Sequence, residues 1–372
     1  MALPTFKHRV MHLLQGTGIQ INGPNPWDLQ EHNQHFYRRV IAHGSLGLGE
    51  SYMQGWWDAD DLDGLVYRIL MANLEETAVS VDNVLAFLHA RFFNLQKPTR
   101  AFDVGRRHYD MGNELYTHML GKRLVYSCGY WQTAKDLDAA QEAKLELVFR
   151  KLGLKPGMRI LDIGCGWGEA LKLAAQRYAI TGVGITVSEQ QAEYARHICK
   201  GLPIEIRLQD YRSLGEQFDR IFSIGMFEHV GVKNYPAYMR VVRRCLKNDG
   251  LFLLHTIGGN MSVHATDPWI AKYIFPNGML PSIKQIAAAS EGLFVTEDWH
   301  NLSVDYDKTL QAWRRNFENK WEVLKTQYNE TFHRMWRYYL SISMAAFRAR
   351  KNQLWQIVFS PHGVPGGYVA PR

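Results

Sequence analysis

A glycine-rich segment at residues 161–168, with the sequence LDIGCGWG, most constrains how this chain folds. An apolar run at residues 158–163 leads into it, and the residues that follow have the apolar spacing of a helix. Because glycine has no Cβ atom, the backbone here can turn sharply from strand to helix and let a ligand approach closely. Comparable apolar runs occur at residues 180–186, 204–208, 220–224 and 251–257. Their spacing leaves room for helices between them and predicts βαβ units around a mostly parallel sheet.

The flanking segments complete the predicted domain organisation. Late strands are predicted at residues 294–299 and 355–359, on either side of a helical insertion at about 309–350. Residues 1–95 predict a smaller helical domain, with helical spacing at 10–14, 36–41 and 65–71, and a glycine-rich turn at 44–49. The predicted linker is 94–100, which contains Pro98, and the larger α/β domain is 96–372. Four aspartates are predicted to cap helices: Asp58, Asp60, Asp61 and Asp63.

The composition indicates a globular protein with a large core. Hydrophobic residues make up 46% of the chain and charged residues 21%, which excludes a disordered, collagen-like or disulfide-stapled protein. No apolar run approaches the roughly 18 to 20 residues that cross a bilayer, and the N-terminus does not resemble a signal peptide. A cytoplasmic location is therefore expected. The four cysteines form no CxxC pair and the histidines no HExxH arrangement, so no metal site is predicted.

The net charge of +7 is concentrated near the C-terminus. Residues 311–372 contain 10 basic and 3 acidic side chains, whereas residues 1–310 contain 33 of each. The same segment contains Trp313, Trp321, Trp336, Trp355, Tyr338 and Tyr339. Cations among amphipathic aromatics favour an anionic lipid surface, which Arg314, Arg315, Arg334 and Arg337 are expected to contact. The pattern also suits nucleic acid, or a solvated helix face whose aromatic side chains lie in the core.

Asp162, two residues before the first glycine of the loop, indicates which ligand the loop binds. Its carboxylate suits a cationic or hydroxyl-bearing ligand better than a pyrophosphate. A nicotinamide site usually has an acid at the end of the second strand, but this chain has ITVS at residues 185–188. The arrangement resembles the S-adenosylmethionine loop of class I methyltransferases, with Asp210 after the third strand as the expected adenine-side acid. The alternative is a purely structural turn.

Two further polar residues lie near the ends of predicted strands. Glu228 follows the fourth strand and His255 lies in the fifth. The carboxyl ends of strands one, four and five line one crevice in a doubly wound sheet, so both side chains are expected to face the ligand. A Glu and a His that converge in this way can transfer protons. The alternative is a Glu that starts a helix and a hydrogen-bonded core His.

Several longer motifs resemble those of the cyclopropane fatty acid synthase family. They are HYDMGNEL at 108–115, YSCGYW at 126–131, the glycine loop at 161–168, FEHVG at 227–231, LHTIG at 254–258, YIFPNG at 273–278 and FRAR at 347–350. Residues 44–53 and 55–57 resemble the N-terminal part of the bacterial phospholipid-acting members. The resemblance therefore covers nearly the full chain and implies a class I methyltransferase fold with a seven-stranded, mostly parallel sheet.

The resemblance also implies a reaction and its site. A methylene from S-adenosylmethionine adds across the cis double bond of an acyl chain in a membrane phospholipid, through a carbocation that a bound bicarbonate deprotonates. The residues that correspond to the bicarbonate site are Cys128 and Ile257 through backbone groups, and Glu228, His255 and Tyr306 through side chains. Those at the cofactor site are Tyr126, Ser127, Gly164, Gly166, Thr186, Gln191, Asp210 and Tyr211, which join Asp162. A homodimer, peripherally associated with the inner face of the cell membrane, is expected, with no nucleic-acid partner.

Two positions depart from the family pattern. Glu169 follows the glycine loop where a small residue is usual, and altered loop packing is expected rather than lost binding, because a helix N-terminus tolerates an acid. Ser343 replaces the cysteine of some relatives, which makes a catalytic thiol there unexpected. The open alternatives are a class I methyltransferase for a soluble amine or phenol, a lipid-binding module without catalysis, and a nucleic-acid methyltransferase.

Overall fold

A computed structural model describes residues 5–74 and 113–372. The predicted linker at 94–100 and most of the motif at 108–115 lie outside the described residues. The helices in chain order are α1 Phe6–Leu13, α2 His35–Met53, α3 Leu62–Met71, α4 Asn113–Met119, α5 Leu137–Leu152, α6 Glu169–Tyr178, α7 Glu189–Ile198, α8 Tyr235–Cys245, α9 Pro268–Tyr273, α10 Ile283–Ser290, α11 Ser303–Asn319, α12 Trp321–Leu324 and α13 Glu330–Arg348. The strands are β1 Gln30–Glu31, β2 Trp57–Asp58, β3 Arg159–Ile163, β4 Thr181–Thr186, β5 Ile204–Leu208, β6 Phe218–Ile224, β7 Leu246–Gly259, β8 Val295–Asn301 and β9 Asn352–Ser360.

The larger sheet has seven strands in the order β5-β4-β3-β6-β7-β9-β8. The pairs β4–β5, β3–β4, β3–β6 and β6–β7 are parallel, and β8–β9 is antiparallel. All seven predicted strands are present, which confirms the α/β fold class, although β7 starts five residues before the predicted position. Because the order reverses between β3 and β6, their carboxyl ends flank the crevice where such sheets bind ligands.

The sheet is buried on both faces because its strands are apolar on both sides. Leu161 and Ile163 of β3 belong to one core cluster, and Ile160, on the opposite face, belongs to the other. Helices cover both clusters, as a parallel sheet requires. Local signals set the helix ends: Asp136 caps the N-terminus of α5 by accepting from Ala139 N–H, and Gly153 ends it in the left-handed conformation.

The chain forms two compact units. The first combines the described N-terminal residues with His264–Pro276 and Leu310–Asn352, and the second contains the large sheet. In the first unit, α13 packs against α2 and α3. The predicted helical insertion therefore packs with the N-terminal helices. Among the described residues, no helix combines the length and apolarity that crossing a membrane requires.

The glycine-rich segment at 44–49 is not the predicted turn. It lies inside α2, which kinks at Gly44 (φ 55°, ψ −128°) and continues to Met53. A Cβ atom on Gly49 would lie 2.5 Å from Trp269 Nε1, so this glycine allows two elements to approach closely. The prediction was wrong because sequence does not distinguish a glycine that serves packing from one that serves a turn.

Most aromatic side chains of the basic segment lie in cores. Trp313, Trp336, Tyr338 and Tyr339 are each at most 5% exposed, and Trp355 is buried in the core of the large sheet. The sequence left open whether these aromatic side chains contact lipid or nucleic acid or lie in the core, and the burial of these five supports the core. Trp321 is half-buried.

Arginines of the same segment pair with acids in the first unit. The carboxylate of Asp63 lies 2.6 Å from Arg314 Nη1 and 2.9 Å from Arg348 Nη1. Arg334 donates to Asp58, and Arg337 Nε lies 3.8 Å from Glu318. Asp61 caps α3 by accepting from Gly64 N–H, as predicted, whereas Asp63 forms ion pairs instead. Three of the four arginines expected at a lipid surface therefore have intramolecular partners.

Candidate active site

The glycine loop is held against the end of β4. The N–H groups of Gly164 and Cys165 both donate to Ile185 O, at 3.0 and 2.9 Å. Gly164 has φ +92°, and a Cβ atom there would lie 2.7 Å from Met226 Cβ. A Cβ on Gly166, at φ +52°, would meet open space. The loop thus needs glycine at 164 for close packing, and its backbone at 166 is open to a ligand.

A cavity lies beside this loop in the second unit. Its lining includes all nine residues predicted for the cofactor: Tyr126, Ser127, Asp162, Gly164, Gly166, Thr186, Gln191, Asp210 and Tyr211. Six of them come from the ends of β3, β4 and β5 or the turns that follow, Gln191 comes from the first turn of α7, and the other two come from the segment before α5. The topology therefore brings predicted residues from four parts of the chain to one cavity.

Asp162 forms the acidic end of this cavity. Its side chain is buried, and Oδ1 has no hydrogen-bond partner among the described residues. Burial raises the pKa of Asp162 to about 8, and nearby Lys144 opposes that rise. A ligand that carries a cationic, hydrogen-bonding group would satisfy Oδ1 and favour the ionised carboxylate.

Hydrogen bonds orient the polar side chains elsewhere in the cavity. Thr186 Oγ1 lies 2.9 Å from Gln191 Oε1 and donates to it. The two oxygens of Asp210 accept from the backbone and side chain of Arg212, each at 2.8 Å. The Tyr211 ring contacts Tyr238 edge to face. These residues form a preorganised wall with hydroxyl, amide and carboxylate groups, which suits a ligand that bears hydroxyls and ring nitrogens.

Glu228 lies in a short 3-10 turn after β6 and is tied to β7. Its Oε1 accepts from Ile257 N–H at 2.7 Å, whereas Oε2 is buried with no hydrogen-bond partner among the described residues. Burial raises the pKa of Glu228 to about 7, and the Ile257 N–H partly opposes this. The carboxyl group therefore exchanges a proton near neutral pH.

His255 lies two residues before Ile257 on β7. Its ring is buried, and Gln356 Nε2 donates to Nδ1 at 3.3 Å. With Nδ1 as acceptor, Nε2 carries the proton, and that atom has no hydrogen-bond partner among the described residues. Burial, with Lys144 and Lys151 nearby, holds the pKa of His255 well below its usual value, so the ring is neutral.

Cys128 and Tyr306 are joined through α11. The Cys128 thiol is fully buried, burial raises its pKa well above the usual value, and Sγ donates to Gly129 O at 3.1 Å. The N–H of Gly129 donates to Thr309 Oγ1 on α11 at 3.0 Å, and the same helix carries the buried Tyr306. The raised pKa of Cys128 disfavours a nucleophilic thiolate at this position. None of the five predicted catalytic residues lines the cofactor cavity itself.

Two buried polar residues of α5 escaped the sequence analysis. Lys144 Nζ donates to Ser127 Oγ at 2.8 Å, and Gln141 Nε2 donates to Ser127 O at 2.7 Å. The sequence does contain a signal for them. Lys144 and Lys151 are seven residues apart, among apolar residues on one face of a helix, and both are 0% exposed. A lysine with helical spacing on an apolar face indicates a buried cation with a specific partner.

The two departures from the family pattern lie in different surroundings. Glu169 is the first residue of α6 and pairs with Lys172 at 3.0 Å and Arg123 at 3.4 Å. These cations and the helix N-terminus balance its charge. Ser343 lies within α13 of the first unit and is half-buried. Among the described residues, no group of three or more His, Cys, Asp or Glu side chains is arranged to hold a metal.

The seven-stranded sheet and the glycine-loop cavity define the fold class of S-adenosylmethionine-dependent methyltransferases. Among solved structures, the cyclopropane synthase MmaA2 from Mycobacterium tuberculosis matches with a TM-score of 0.67 and 28% identity, over 72% of this chain and 99% of that one. The mycolic acid cyclopropane synthase CmaA1, complexed with SAH and CTAB, matches with a TM-score of 0.64 and 31% identity, over 69% of this chain and 97% of that one.

Sequence comparison identifies the family. Residues 96–357 match the family described as mycolic acid cyclopropane synthetase. A cyclopropane-fatty-acyl-phospholipid synthase of Escherichia coli strain K12 is 52% identical over 361 residues, which are 97% of this chain and 94% of the relative. The chain belongs to the mycolic acid cyclopropane synthetase family, and the resemblance seen in its motifs is confirmed.

Proposed function

We propose that this protein transfers a methylene from S-adenosylmethionine across the cis double bond of unsaturated acyl chains in membrane phospholipids and so forms a cyclopropane ring. The E. coli relative is a cyclopropane-fatty-acyl-phospholipid synthase, and its similarity, which extends over almost the whole of both chains, supports this substrate class. The observation that carries the chemistry is a pair of buried, unpartnered polar atoms, Glu228 Oε2 and His255 Nε2. A soluble-substrate methyltransferase would not need them.

The cavity residues fit S-adenosylmethionine. When bound, this co-substrate supplies an electrophilic methyl group. Asp162 Oδ1 would accept from its ammonium group, Gly166 leaves its backbone open to the ligand, and Asp210 and Tyr211 would bind on the adenosine side. Because an alkene is a weak nucleophile, the task of these residues is to hold the methyl group in line with the double bond and exclude water.

The Glu228–His255 pair fits a small planar anion, and we propose bicarbonate. Bicarbonate supplies the base that takes a proton from the newly added methyl group. Neutral His255 donates from Nε2, and protonated Glu228 donates from Oε2, so the anion would satisfy both buried atoms. Tyr306 and the backbone groups of Cys128 and Ile257 complete its surroundings. In the present arrangement Ile257 N–H donates to Glu228, so binding of the anion would exchange or share that bond.

Incubation with S-adenosylmethionine and liposomes tests the proposed reaction. We expect monounsaturated phosphatidylethanolamine and phosphatidylglycerol to gain one CH₂ per chain by mass spectrometry, with cyclopropane protons by NMR. Glu228→Gln should lower kcat about 100-fold or more while S-adenosylmethionine still binds, because proton transfer loses its anchored base. Exposed Glu193→Gln is the matched control and should retain activity. Methylation of soluble amines or phenols without liposome product would support the soluble-substrate alternative instead.

We also infer a cytoplasmic homodimer that associates peripherally with the inner face of the membrane. The substrate requires contact with a bilayer, and the chain presents a basic surplus that anionic lipids attract. Sedimentation analysis should show two chains per particle, and flotation should recover the protein with anionic but not neutral liposomes. A monomer, or recovery independent of lipid charge, would contradict these inferences.

A further inference from the structure

Lys144 is a buried cation beside the cofactor cavity with no role in the reaction as described so far. It lies on α5, contributes to the cavity lining and is 0% exposed. Burial lowers the pKa of Lys144 to about 7, while Cys128 and Asp162 oppose that shift. Burying an ammonium group costs free energy unless a partner compensates it, so a lysine at this place requires an explanation.

The hydrogen bond from Lys144 determines how Ser127 presents its hydroxyl group. Ser127 Oγ accepts from Lys144 Nζ at 2.8 Å, so the hydroxyl hydrogen is left to donate elsewhere. Ser127 also lines the cavity. One helical turn away, Gln141 Nε2 donates to Ser127 O at 2.7 Å and fixes the backbone. One face of α5 therefore holds both the backbone and the side chain of Ser127, and its hydroxyl is available as a donor to a ligand.

Opposite charges meet at this end of the cavity. Asp162 is buried there with Oδ1 unpartnered, and it interacts electrostatically with Lys144. The cavity end thus offers an acceptor that favours a cation and, through Ser127, a donor backed by a positive charge. An α-amino acid group, with one ammonium and one carboxylate, matches both. The methionine part of S-adenosylmethionine carries such a group.

We propose that Lys144 is a positioning residue for the α-carboxylate of S-adenosylmethionine, which it recognises through Ser127. Lys144 holds the Ser127 hydroxyl as a donor to the carboxylate and supplies the compensating positive charge. Asp162 accepts from the α-ammonium group at the same time. The inference rests on the proposed function only in taking S-adenosylmethionine as the ligand of this cavity.

Calorimetric binding of two ligands to the full chain tests this role. S-adenosylmethionine and its decarboxylated analogue differ only in the α-carboxylate. The wild-type protein should bind S-adenosylmethionine at least tenfold more tightly, as expected for a charge-assisted hydrogen bond. Lys144→Met should reduce that preference to about threefold or less, whereas Lys144→Arg should retain part of it because it keeps the charge. Lys151→Met is the matched control: it removes a buried lysine from the same helix, one that pairs with Asp298 at 2.9 Å, and should keep the full preference.

The double variant separates recognition from general folding effects. Ser127→Ala should likewise reduce the preference to about threefold or less. The double variant, Ser127→Ala with Lys144→Met, should be no worse than either change alone, because the two residues act as one donor. Equal weakening of both ligands by Lys144→Met would assign the lysine a merely structural role and overturn the proposal. A wild-type preference below threefold would overturn it even if the variants fail to fold. The binding measurements contain no acyl acceptor and do not depend on turnover. If the protein formed no cyclopropane in the liposome assay, the proposed function would be contradicted, but the role of Lys144 in ligand binding would not.

Discussion

At the scale of single residues, four buried titratable groups surround the cavity and the neighbouring strand ends. Burial shifts the pKa of Lys144 and His255 downward and that of Asp162 and Glu228 upward, because exclusion of water disfavours the charged form of each. Such groups destabilise an isolated fold, and the unpartnered atoms of Asp162, Glu228 and His255 indicate that ligands complete the site. Part of the binding specificity of the site therefore comes from buried polar atoms whose hydrogen bonds only a ligand can complete.

Glu228 should make the protein less stable as the pH rises. Its pKa is raised from 4.5 to about 7 in the folded state, so its stabilising contribution is complete below pH 4.5 and is lost as the pH rises towards 7. Glu228→Gln removes this loss. Relative to wild type, the variant should therefore gain about 3 kcal/mol of unfolding free energy between pH 4.5 and pH 8. Urea unfolding at the two pH values measures the difference, and parallel changes in both proteins would contradict the assigned pKa.

At the scale of elements, glycines set the distances between neighbouring segments. Gly258 follows Ile257 on β7, and a Cβ atom on it would lie 2.5 Å from Trp355 Cη2 and 2.7 Å from Pro281 O. Trp355 belongs to the core of the large sheet and cannot retreat easily. The neighbouring Gly259 is different, because its nearest contact would be Met261 O at 3.8 Å.

Substitution of these two glycines tests whether close packing positions β7. Gly258→Ala should cost about 1–3 kcal/mol of unfolding free energy through overpacking. It should also lower activity, because any shift of β7 moves Ile257 and His255. Gly259→Ala supplies the control and should change stability by less than about 0.5 kcal/mol. Chemical denaturation and the liposome assay measure both effects. Equal behaviour of the two variants would show that contact with Trp355 does not determine the strand position.

At the scale of the whole molecule, the basic side chains of the C-terminal segment fall into two groups. Within the first unit, Arg334 donates to Tyr52 O at 2.6 Å, to Trp57 O at 3.1 Å and to Asp58 at 2.7 Å. Such arginines join the insertion helices to the N-terminal segment. Arg315 and Lys320, by contrast, are exposed, and no ion pair involves either within residues 5–74 and 113–372. These exposed cations are the ones available to an anionic membrane.

Variants of the two kinds of cation should behave differently. Arg334→Gln should cost about 2 kcal/mol of unfolding free energy, because buried acceptors lose a charged donor. The pair Arg315→Gln and Lys320→Gln should leave stability nearly unchanged and weaken binding to anionic vesicles about tenfold at low salt, with a smaller effect at high salt. Urea unfolding and vesicle co-sedimentation are the measurements. Unchanged vesicle binding in the pair would assign these cations to a merely solvated surface.

The sequence by itself determined the strands, the glycine loop and the family, because apolar periodicity and turn residues act locally and long motifs are specific. The local pattern pointed to Asp162, Gly164 and Gly166, whereas the resemblance to known methyltransferases supplied the other six predicted residues that line the cavity. Only the tertiary structure decided which partners distant side chains take. Ser127 with Lys144, Glu228 with Ile257 and Asp63 with Arg314 are 17, 29 and 251 residues apart. Local sequence patterns do not predict such pairings, because they form only when whole helices and strands pack together. The same reason explains why the glycines of α2 were mistaken for a turn and why the sequence left open whether the C-terminal tryptophans face lipid or the core.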